Sequence, residues 1–519
     1  MRLRYVLALL LICLSTLLYC DDNWEWTKSF KFDYHTDIHD IKVDNKGNSV
    51  VIGSFNGQKL KIDNVEIENK LYKEQKHDLY YWGPQKYPNY IFIIKLDKKG
   101  KILWAKSPSD ISIINPPKLA LDNKGNIYYS GSYIPSESDS PYYSNKTKQT
   151  DFFVEKLNSK GKSKGIVYSY GNGKYTLDEL KTDMKNNVYF TGSFQNSSLE
   201  LGDKTLENKY NANGFVVKTN PKGQIIWTKV FGGEITVSAV NLSVTSNSDC
   251  FLTSFYDSKW VGIDSTLIPN PKDYTEMVMK LDSKGETIWL KQFGYVNKLT
   301  KGYTNSQNHI VSQNINCQLV TDRNGDCYIQ GNFKLNTSDE YYLFDSNFGY
   351  GKRIDRTIKV NDIGINELSL RTDIKDFECE ELLKDYNGEL FIKGKIKTYV
   401  TEPDFPEVHV VQKEVDGVMG YHYEFRPPSQ SEQIGKMKKK NTLYLVPIDS
   451  TKQYIALEYP DEVQSQTLAQ YIKLDTDRDN KLYMMGRFYL PEKNEEGYNS
   501  QVKPYNALFI TKSKTKLSF

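Results

Sequence analysis

The sequence predicts an all-β fold built from seven copies of one four-stranded antiparallel sheet. Three observations lead to this prediction. A turn phrase recurs seven times along the 519 residues, a second hairpin phrase follows the clearer copies, and the final copy lacks a strand that the amino terminus supplies. A chain of this length is too long for a typical single core, so a repeat or several domains are expected.

The amino-terminal segment is typical of an export signal. Arg2 and Arg4 precede an apolar run from Val6 to Leu18, which is too short for a comfortable membrane span. We therefore expect residues 1–20 to be a signal peptide and residues 21–519 to form one domain. The mature protein would then lie in the cell envelope or on the cell surface.

Cys20 is a candidate for lipidation. It follows Leu17-Leu18-Tyr19, which resembles a bacterial lipobox because Leu17 lies three residues before the cysteine. Tyr19 departs from that pattern, since the residue before the cysteine is usually small. Two alternatives stay open, namely a signal cut nearby and an uncleaved anchor. We expect contact with a membrane only through such an anchor.

The charge and the cysteines argue against several classes of function. The formal net charge is +3, and loss of the two positive charges of Arg2 and Arg4 would bring it to about +1, so nothing favours nucleic acid as a partner. The four cysteines beyond the leader form no Cys-x-x-Cys pair, which argues against a zinc or redox motif. We expect no metal, no cofactor, and no bridge between Cys317 and Cys327, because Cys327 should face Thr321.

The recurring phrase is an apolar strand, a tight turn opened by Asp, a second apolar strand, and then Gly. Its first copy runs from Asp44 to Asn48 and leads to Gly53-Ser54-Phe55. An Asp side chain opens such a turn by accepting backbone N–H groups. A degenerate copy without the Asp lies between Val244 and Phe255. The six clear copies open at Asp44, Asp122, Asp183, Asp322, Asp385 and Asp477.

The fourth residue of each turn predicts the geometry of that turn. Every one is Gly or Asn, the residues that best tolerate a left-handed backbone. A type I turn followed by one left-handed residue joins two antiparallel strands in this way. The predicted left-handed residues are Gly47, Gly125, Asn186, Asn247, Gly325, Gly388 and Asn480.

A second phrase predicts two further strands in each copy. The segment from Lys95 to Gly100 precedes Ile102-Leu103-Trp104, and similar hairpins lead to Trp227 and Trp289. We expect these aromatic residues to pack between neighbouring sheets. Four antiparallel strands at a period of about 70 residues describe one blade of a β-propeller.

The last copy ends without its tryptophan strand. Residues 507–519 give a third strand and little more, whereas the segment from Trp24 to Lys28 matches the segment from Trp227 to Lys229. An unpaired edge strand is a liability, and pairing it with the amino-terminal strand removes the edge. We therefore predict a seven-bladed β-propeller, closed by Trp24 and Trp26 in the last blade.

These motifs resemble a known bacterial repeat. The Asp-x-x-Gly-Asn turn, the Gly-Ser-Phe and the Lys-Leu-Asp-x-x-Gly-x-x-x-Trp-x-Lys hairpin look like the β-propeller repeat of the SBBP type, which occurs in bacterial surface proteins and lipoproteins. The likeness covers roughly Trp24 to Phe519 and is weakest in the fifth and sixth copies. It implies a fold and an exported setting, and it carries no activity or catalytic residues.

The connections between second and third strands are long in copies six, seven, one and two, which are neighbours in the predicted ring. Loops on a rigid scaffold are where recognition usually lies. Aromatic residues in such loops suit a protein or saccharide partner, because they bring contact area at little entropic cost. A self-packed loop core is the alternative. The candidate recognition residues are Tyr80, Tyr81, Trp82, Tyr87, Tyr142 and Tyr143.

Together these observations favour an exported binding protein with a protein or saccharide partner. A structural scaffold in an envelope assembly is the main alternative, and a propeller enzyme is less favoured. His35 and His39 should lie about 13 Å apart on an extended strand, too far to share a metal. The six histidines are scattered and give no triad. We therefore predict that the chain is not an enzyme and has no catalytic residues.

Overall fold

The computed structural model describes the parts of the chain that carry its sheets, and every structural statement below concerns those residues. All regular structure in them is β-strand, and all pairs of named strands are antiparallel. No helix long and apolar enough to cross a membrane occurs among them. The described ranges are 24–32, 36–70, 89–108, 112–113, 115–133, 150–170, 173–195, 197–235, 237–270, 275–295, 318–332, 334–335, 355–360, 365–367, 377–396, 408–415, 418–425, 442–448, 455–458, 467–490 and 505–517.

The described residues form 38 β-strands, which are numbered in chain order and divided into three groups only for naming. The first group is β1 (Trp24–Phe32), β2 (Thr36–Val43), β3 (Ser49–Phe55), β4 (Lys59–Ile62), β5 (Val65–Glu68), β6 (Asn89–Leu96), β7 (Ile102–Lys106), β8 (Ser112–Ile113), β9 (Leu119–Leu121), β10 (Ile127–Tyr133), β11 (Asp151–Leu157) and β12 (Ser163–Tyr170). The second is β13 (Lys174–Thr182), β14 (Val188–Gln195), β15 (Leu199–Leu201), β16 (Lys204–Leu206), β17 (Ala212–Thr219), β18 (Ile225–Gly233), β19 (Val237–Val244), β20 (Cys250–Tyr256), β21 (Trp260–Ile263), β22 (Thr266–Pro269), β23 (Thr275–Leu281) and β24 (Thr287–Tyr295). The third is β25 (Gln318–Thr321), β26 (Cys327–Asn332), β27 (Lys334–Leu335), β28 (Asp355–Val360), β29 (Ile365–Glu367), β30 (Phe377–Lys384), β31 (Leu390–Ile396), β32 (Val408–Val415), β33 (Val418–Phe425), β34 (Thr442–Pro447), β35 (Ile455–Glu458), β36 (Thr467–Thr476), β37 (Lys481–Leu490) and β38 (Tyr505–Lys516).

In the described residues, seven sheets each contain a run of four antiparallel strands. Six of these runs use strands in chain order, and the seventh takes its fourth strand from the amino terminus. The runs are sheet 1 (β2-β3-β6-β7), sheet 2 (β9-β10-β11-β12), sheet 3 (β13-β14-β17-β18), sheet 4 (β19-β20-β23-β24), sheet 5 (β25-β26-β28-β29), sheet 6 (β30-β31-β34-β35) and sheet 7 (β36-β37-β38-β1).

Strand β1 forms the edge of sheet 7 and pairs along its length with β38. Thr27 lies opposite Thr511, and their hydroxyl oxygens are 2.9 Å apart. Trp24 is buried among residues of sheets 6 and 7. The first and last strands of the described chain therefore share one sheet.

The turns between first and second strands have the geometry that the Asp phrase suggests. Asp44 Oδ1 accepts the backbone N–H groups of Lys46 and Asn48, and Gly47 has a φ of 76°. The degenerate copy differs from the prediction, because the left-handed residue there is Ser248 and not Asn247. In that copy Thr245 takes the place of the opening Asp, which moves the register of the phrase by one residue.

The predicted register around Asp322 is confirmed. Cys327 lies opposite Thr321, and the N–H of Asp322 donates to the carbonyl oxygen of Asp326. Cys327 and Cys250 are buried free thiols. Cys317 lies outside the described residues, so the expected absence of a bridge stays a prediction.

Consecutive sheets meet along their first strands. Contacts join β2 to β9, β9 to β13, β13 to β19, β19 to β25 and β25 to β30, and β36 contacts β2. Lys473 on β36 pairs with Glu381 on β30 at 3.2 Å. The apolar core is divided accordingly, since each of seven buried clusters lies between two consecutive sheets, including sheets 7 and 1.

Short strands after the second strands of sheets 1, 3, 4 and 5 contact the preceding sheet. The β15–β16 hairpin of sheet 3 pairs with β12 of sheet 2, and the β21–β22 hairpin of sheet 4 pairs with β18 of sheet 3. β27 adds to β24 in the same way. The β4–β5 hairpin contacts β1. These short strands lie in the connections between second and third strands and were not predicted from the sequence, although Lys59 to Ile67 shows the alternation of a hairpin.

Candidate functional site

One position in the first strands, or directly before the strand in sheet 2, is polar in every sheet. It lies four residues before the residue that opens the turn, and each side chain there is half-buried. The next residue along each strand is apolar and buried. The polar side chains therefore project from the face of the strand that the core does not cover. They are Asp40, Lys118, Glu179, Asn241, Gln318, Glu381 and Lys473.

A β-bulge lies beside this position in five sheets. His39 is the extra residue of β2 and Asp178 is the extra residue of β13, and β19, β30 and β36 have bulges at the corresponding place. A bulge re-aims the side chain of its extra residue. In sheets 1 and 3, it brings two successive polar residues, His39-Asp40 and Asp178-Glu179, to half-buried positions between buried apolar ones.

His39 and Lys118 belong to a polar group on sheets 1 to 3. Burial lowers the pKa of His39 to about 4. The nearby Lys118 ammonium also lowers this pKa, whereas the Asp37 carboxylate raises it. The Nε2 atom of His39 lies 2.9 Å from the hydroxyl oxygen of Ser54. The imidazole is therefore neutral near pH 7 and can either donate or accept a hydrogen bond.

Asp178 completes this group on sheet 3. Burial raises the pKa of its carboxyl to about 6, although the Lys118 ammonium lowers it. Thr176 and Ser238 donate hydroxyl hydrogen bonds to Asp178 Oδ2 at 3.3 and 3.5 Å. The adjacent Glu179 behaves in the opposite way. Burial raises its pKa, but nearby lysines, Lys118 among them, hold it below the ordinary value.

On sheets 6, 7 and 1, the charged side chains at the polar position of the first strands form ion pairs. Glu381 accepts hydrogen bonds from Lys393 at 2.8 Å and from Lys473 at 3.2 Å. Burial opposes ionisation of Glu381, yet these two ammonium groups lower its pKa to about 2. On sheet 1, Lys42 Nζ lies 2.8 Å from Asp40 Oδ1. Here the charges largely satisfy one another, in contrast to the His39, Lys118 and Asp178 group.

The group of His39, Lys118 and Asp178 offers hydrogen-bond donors and acceptors to a ligand. An ammonium donates, a carboxylate accepts, and a neutral imidazole does both, which suits a ligand rich in hydroxyl groups. In the parts of the chain that are described, no group of three or more His, Cys, Asp or Glu side chains is arranged to hold a metal.

The structure separates the predicted turn residues and the predicted ring-closure residues from this polar group. The turns opened by Asp44 and its equivalents lie at the opposite end of the first strands, and Trp24 and Trp26 lie on β1. The candidate lipidation site and the recognition aromatics fall outside the described residues; these are Cys20, Tyr80, Tyr81, Trp82, Tyr87, Tyr142 and Tyr143.

Sequence reasoning missed the polar group, although a signal for it was present. When the seven turn phrases are aligned on their opening residue, the position four residues earlier is polar in every copy and the next is Ile or Leu. A bulge is not visible in this way, because the extra residue is defined only by the pairing of two strands.

No family model matches the chain. An uncharacterised WD repeat-containing protein of Acanthamoeba polyphaga mimivirus is 28% identical over 167 residues, which cover 27% of this chain and 12% of that protein. The matched part is thus about an eighth of the relative's length. The assignment to the SBBP type stays a prediction.

Solved structures of similar fold have low identity to this chain. A protein of unknown function from Dyadobacter fermentans DSM 18053 has a TM-score of 0.38 and 9% identity, covering 94% of this chain and 99% of that one. The PL25 ulvan lyase has a TM-score of 0.36 and 9% identity, covering 88% and 93%. The leech intramolecular trans-sialidase has a TM-score of 0.31 and 8% identity, covering 87% and 65%.

These comparisons are compatible with a propeller-like all-β fold and correct one prediction. The sequence analysis predicted that the chain is not an enzyme, and that prediction is wrong, because the proteins of similar fold include a lyase and a trans-sialidase. The likeness is one of fold alone and assigns no reaction to this chain.

Proposed function

We propose that the chain is a closed seven-bladed β-propeller, and that it is an exported protein that binds a saccharide beside its axis. The single observation that carries the binding proposal is the position that is polar in all seven first strands. First strands surround the axis of a propeller, so this position would line the axis with hydrogen-bonding groups.

Four features of sheet 7 support a closed ring. β1 pairs with β38, β36 contacts β2 of sheet 1, Glu381 of sheet 6 pairs with Lys473 of sheet 7, and one apolar cluster lies between sheets 7 and 1. In a closed arrangement, every sheet has two neighbours and none exposes a free face.

The group of His39, Lys118 and Asp178 is the best candidate for the binding residues. It lies in the half of the first strands nearer the connections between second and third strands, since Ile38 pairs with Gly53 two residues before β3 ends. The connection between β5 and β6 leaves from that end and contains Tyr81 and Trp82. The polar group would fix the hydroxyl groups of a sugar, and the aromatic residues would cover its ring faces.

The proposal is tested on an array of defined oligosaccharides, followed by calorimetric titration of each hit. Asp178→Asn and Lys118→Met should each weaken binding at least about tenfold, because each leaves a buried ligand group without its partner. Asp203→Asn is the matched control, since Asp203 is exposed in the β15–β16 hairpin. Absence of any saccharide ligand, or equal affinity in all three variants, would overturn the proposal.

A second variant addresses the aromatic residues. Replacement of Tyr81 and Trp82 by Ala should weaken binding of the same saccharide while the circular dichroism spectrum stays unchanged. If a captured protein binds and no saccharide does, the partner is a protein and the saccharide proposal is wrong.

One observation favours hydrolysis of the bound saccharide as a second candidate function. Asp178 and Glu179 are adjacent, and their surroundings shift their pKa values in opposite directions, upward for Asp178 and downward for Glu179. Such a pair can provide an acid and a base at one pH. Reducing-end release from a hit of the array, lost in Asp178→Asn and retained in Asp203→Asn, would support this function.

We also propose export with a lipid anchor at Cys20. Fractionation of cells expressing the whole chain should place it in the membrane fraction of the envelope, and labelling with a fatty acid should depend on Cys20. Equal labelling of Cys20→Ser would contradict the anchor, and a cytoplasmic location would contradict export.

A further inference from the structure

A tryptophan on the fourth strand joins several sheets to the next. The indole of Trp26 rests on the left-handed Gly100 of sheet 1, and a methyl group added at Gly100 would lie 2.8 Å from the ring. Trp227 rests on Gly285 of sheet 4 in the same way, at 2.7 Å. Trp104 also lies against the glycine of the next sheet, Gly161. The indole ring therefore fills the space between a fourth strand and the neighbouring turn.

Each of these indoles also donates a hydrogen bond to the turn that it covers. The acceptor is the backbone oxygen two residues before the turn glycine. The Nε1–O distances are 3.0 Å from Trp26 to Lys98, 3.3 Å from Trp104 to Ser159 and 3.1 Å from Trp227 to Ser283.

Sheet 2 has glycine where these sheets have tryptophan. Gly165 lies opposite Lys156, in the register in which Trp104 lies opposite Lys95 and Trp227 opposite Lys218. Apart from its two neighbours in the chain, no residue has an atom within 4 Å of a methyl group placed at Gly165. The space that an indole fills at these three junctions is therefore not filled by the residue at position 165.

A recess of about 130 Å³ occupies this place, between sheets 2 and 3. Tyr128, Val167, Phe190 and Gly223 are among the residues that line it, and exposed Lys222 lies at its edge. We call it the Gly165 recess. An apolar cavity of about 150 Å³ accommodates benzene. The recess can therefore enclose about one ring of an indole, and the other ring would lie at the edge beside the exposed Gly165 and Lys222.

The walls of the Gly165 recess match those that hold tryptophan elsewhere. Tyr128 occupies the position of Tyr189 and Tyr483, which meet Trp227 and Trp26 edge to face with ring centroids 6.0 and 6.1 Å apart. An aromatic ring in the recess can make the same contact with Tyr128, since edge-to-face pairs are favourable at this distance.

The hydrogen-bond acceptor is also preserved. Pro221 stands two residues before Gly223, as Ser283 stands two residues before Gly285. The oxygen of Ser283 accepts from both Lys218 at 2.9 Å and Trp227 at 3.1 Å. The oxygen of Pro221 accepts from Lys156 at 2.7 Å, and no indole of the described residues reaches it.

We propose that the Gly165 recess binds an indole, a planar aromatic ring system with one ring N–H. The ring lies edge to face with Tyr128, and its N–H donates to the oxygen of Pro221. The indole comes either as a free small molecule or as a tryptophan side chain of a polypeptide. This proposal does not depend on a saccharide ligand or on closure of the ring.

The first experiment titrates the purified chain with indole, with 1-methylindole and with the tripeptide Gly-Trp-Gly, by calorimetry. Indole or the tripeptide should bind, and the tighter of the two identifies the source of the ring. 1-Methylindole should bind roughly fivefold more weakly than indole, because it lacks the N–H donor. Equal affinity would overturn Pro221 as the acceptor, and no binding of indole or tripeptide would overturn the proposal.

The second experiment fills the recess from within. Gly165→Trp should abolish binding of indole, whereas Gly165→Ala should retain it. Both variants bear the strain of a side chain at a φ of 141°. The difference between their affinities for indole therefore reports only whether the new side chain fills the recess. Val167→Phe fills the recess without a change at Gly165 and should also abolish binding. Wild-type affinity in a folded Gly165→Trp or Val167→Phe variant would place the ligand elsewhere and contradict the proposal.

Discussion

Lys28 forms an ion pair with Asp63, which lies in the turn of the β4–β5 hairpin. Lys229 pairs with Asp264 of the β21–β22 hairpin in the same relationship, at 2.8 Å. Both lysines lie two residues after a tryptophan, and both aspartates have a positive φ, 50° and 54°. The amino-terminal strand therefore contacts sheet 1 as the fourth strand of sheet 3 contacts sheet 4.

This equivalence predicts the cost of removing Trp26. Trp26→Ala should lower the free energy of unfolding by about 2–3 kcal/mol, because it removes ring packing on Gly100 and the hydrogen bond to Lys98. Trp227→Ala is the matched control, and its cost should agree within about 1 kcal/mol. Urea denaturation followed by circular dichroism measures both. A negligible cost for Trp26→Ala beside a large one for Trp227→Ala would show that β1 has a lesser role than β18.

The turn glycine beneath Trp26 allows a second matched comparison. Gly100 and Gly325 have nearly the same φ, 81° and 83°, but only Gly100 faces a ring. Gly325→Ala should cost about 1 kcal/mol from backbone strain alone. Gly100→Ala should cost at least about 1 kcal/mol more, because the new methyl group displaces Trp26. Equal costs in denaturant titrations would mean that the indole is not held against this turn.

The buried carboxyl group of Glu276 on β23 should make the stability of the fold depend on pH. Its carboxylate oxygens are buried and have no hydrogen-bond partner among the described residues, and burial raises its pKa to about 8. The folded chain therefore holds a proton that the unfolded chain releases near pH 4.5. The stability contributed by that proton is complete below pH 4.5 and is lost as the pH rises through 8.

Glu276→Gln should remove this dependence because its side chain stays neutral. At pH 5 the variant and the wild type should unfold at similar urea concentrations, and at pH 9 the variant should be more stable by about 3 kcal/mol. Glu286→Gln is the control, since Glu286 is exposed in the following turn. If the two variants respond alike to pH, the carboxyl of Glu276 is hydrated or paired in solution.

The turns were accessible to sequence reasoning because a backbone constraint selects their residues. A left-handed position favours Gly or Asn strongly enough that Gly47 and Asn186 can be placed without coordinates. Ser248 shows the limit of this argument, since a residue with a weaker preference occupies the position when the rest of the turn imposes it. The misplaced Asn247 lies one residue before it.

The bulges and the hairpins between sheets were not accessible in the same way. His39 and Asp178 are extra residues only with respect to a partner strand, and pairing is a tertiary property. The β4–β5 hairpin shows strand alternation in its sequence, but its contact with β1 depends on which sheets are neighbours. Gly165 could be found only by aligning the sheets, because an absent side chain gives no motif.

The most direct test of the account joins the two ends of the chain. Thr27→Cys with Thr511→Cys places thiols on residues that lie opposite each other in β1 and β38. Mild oxidation should form a disulfide, detected by mass spectrometry of linked peptides, in nearly all molecules. Thr27→Cys with Ala507→Cys is the control, because Ala507 lies opposite Lys31, about 13 Å further along the strand. Efficient linkage only in the first pair is the predicted result, and no linkage, or equal linkage in both pairs, would contradict a sheet closed by the amino-terminal strand.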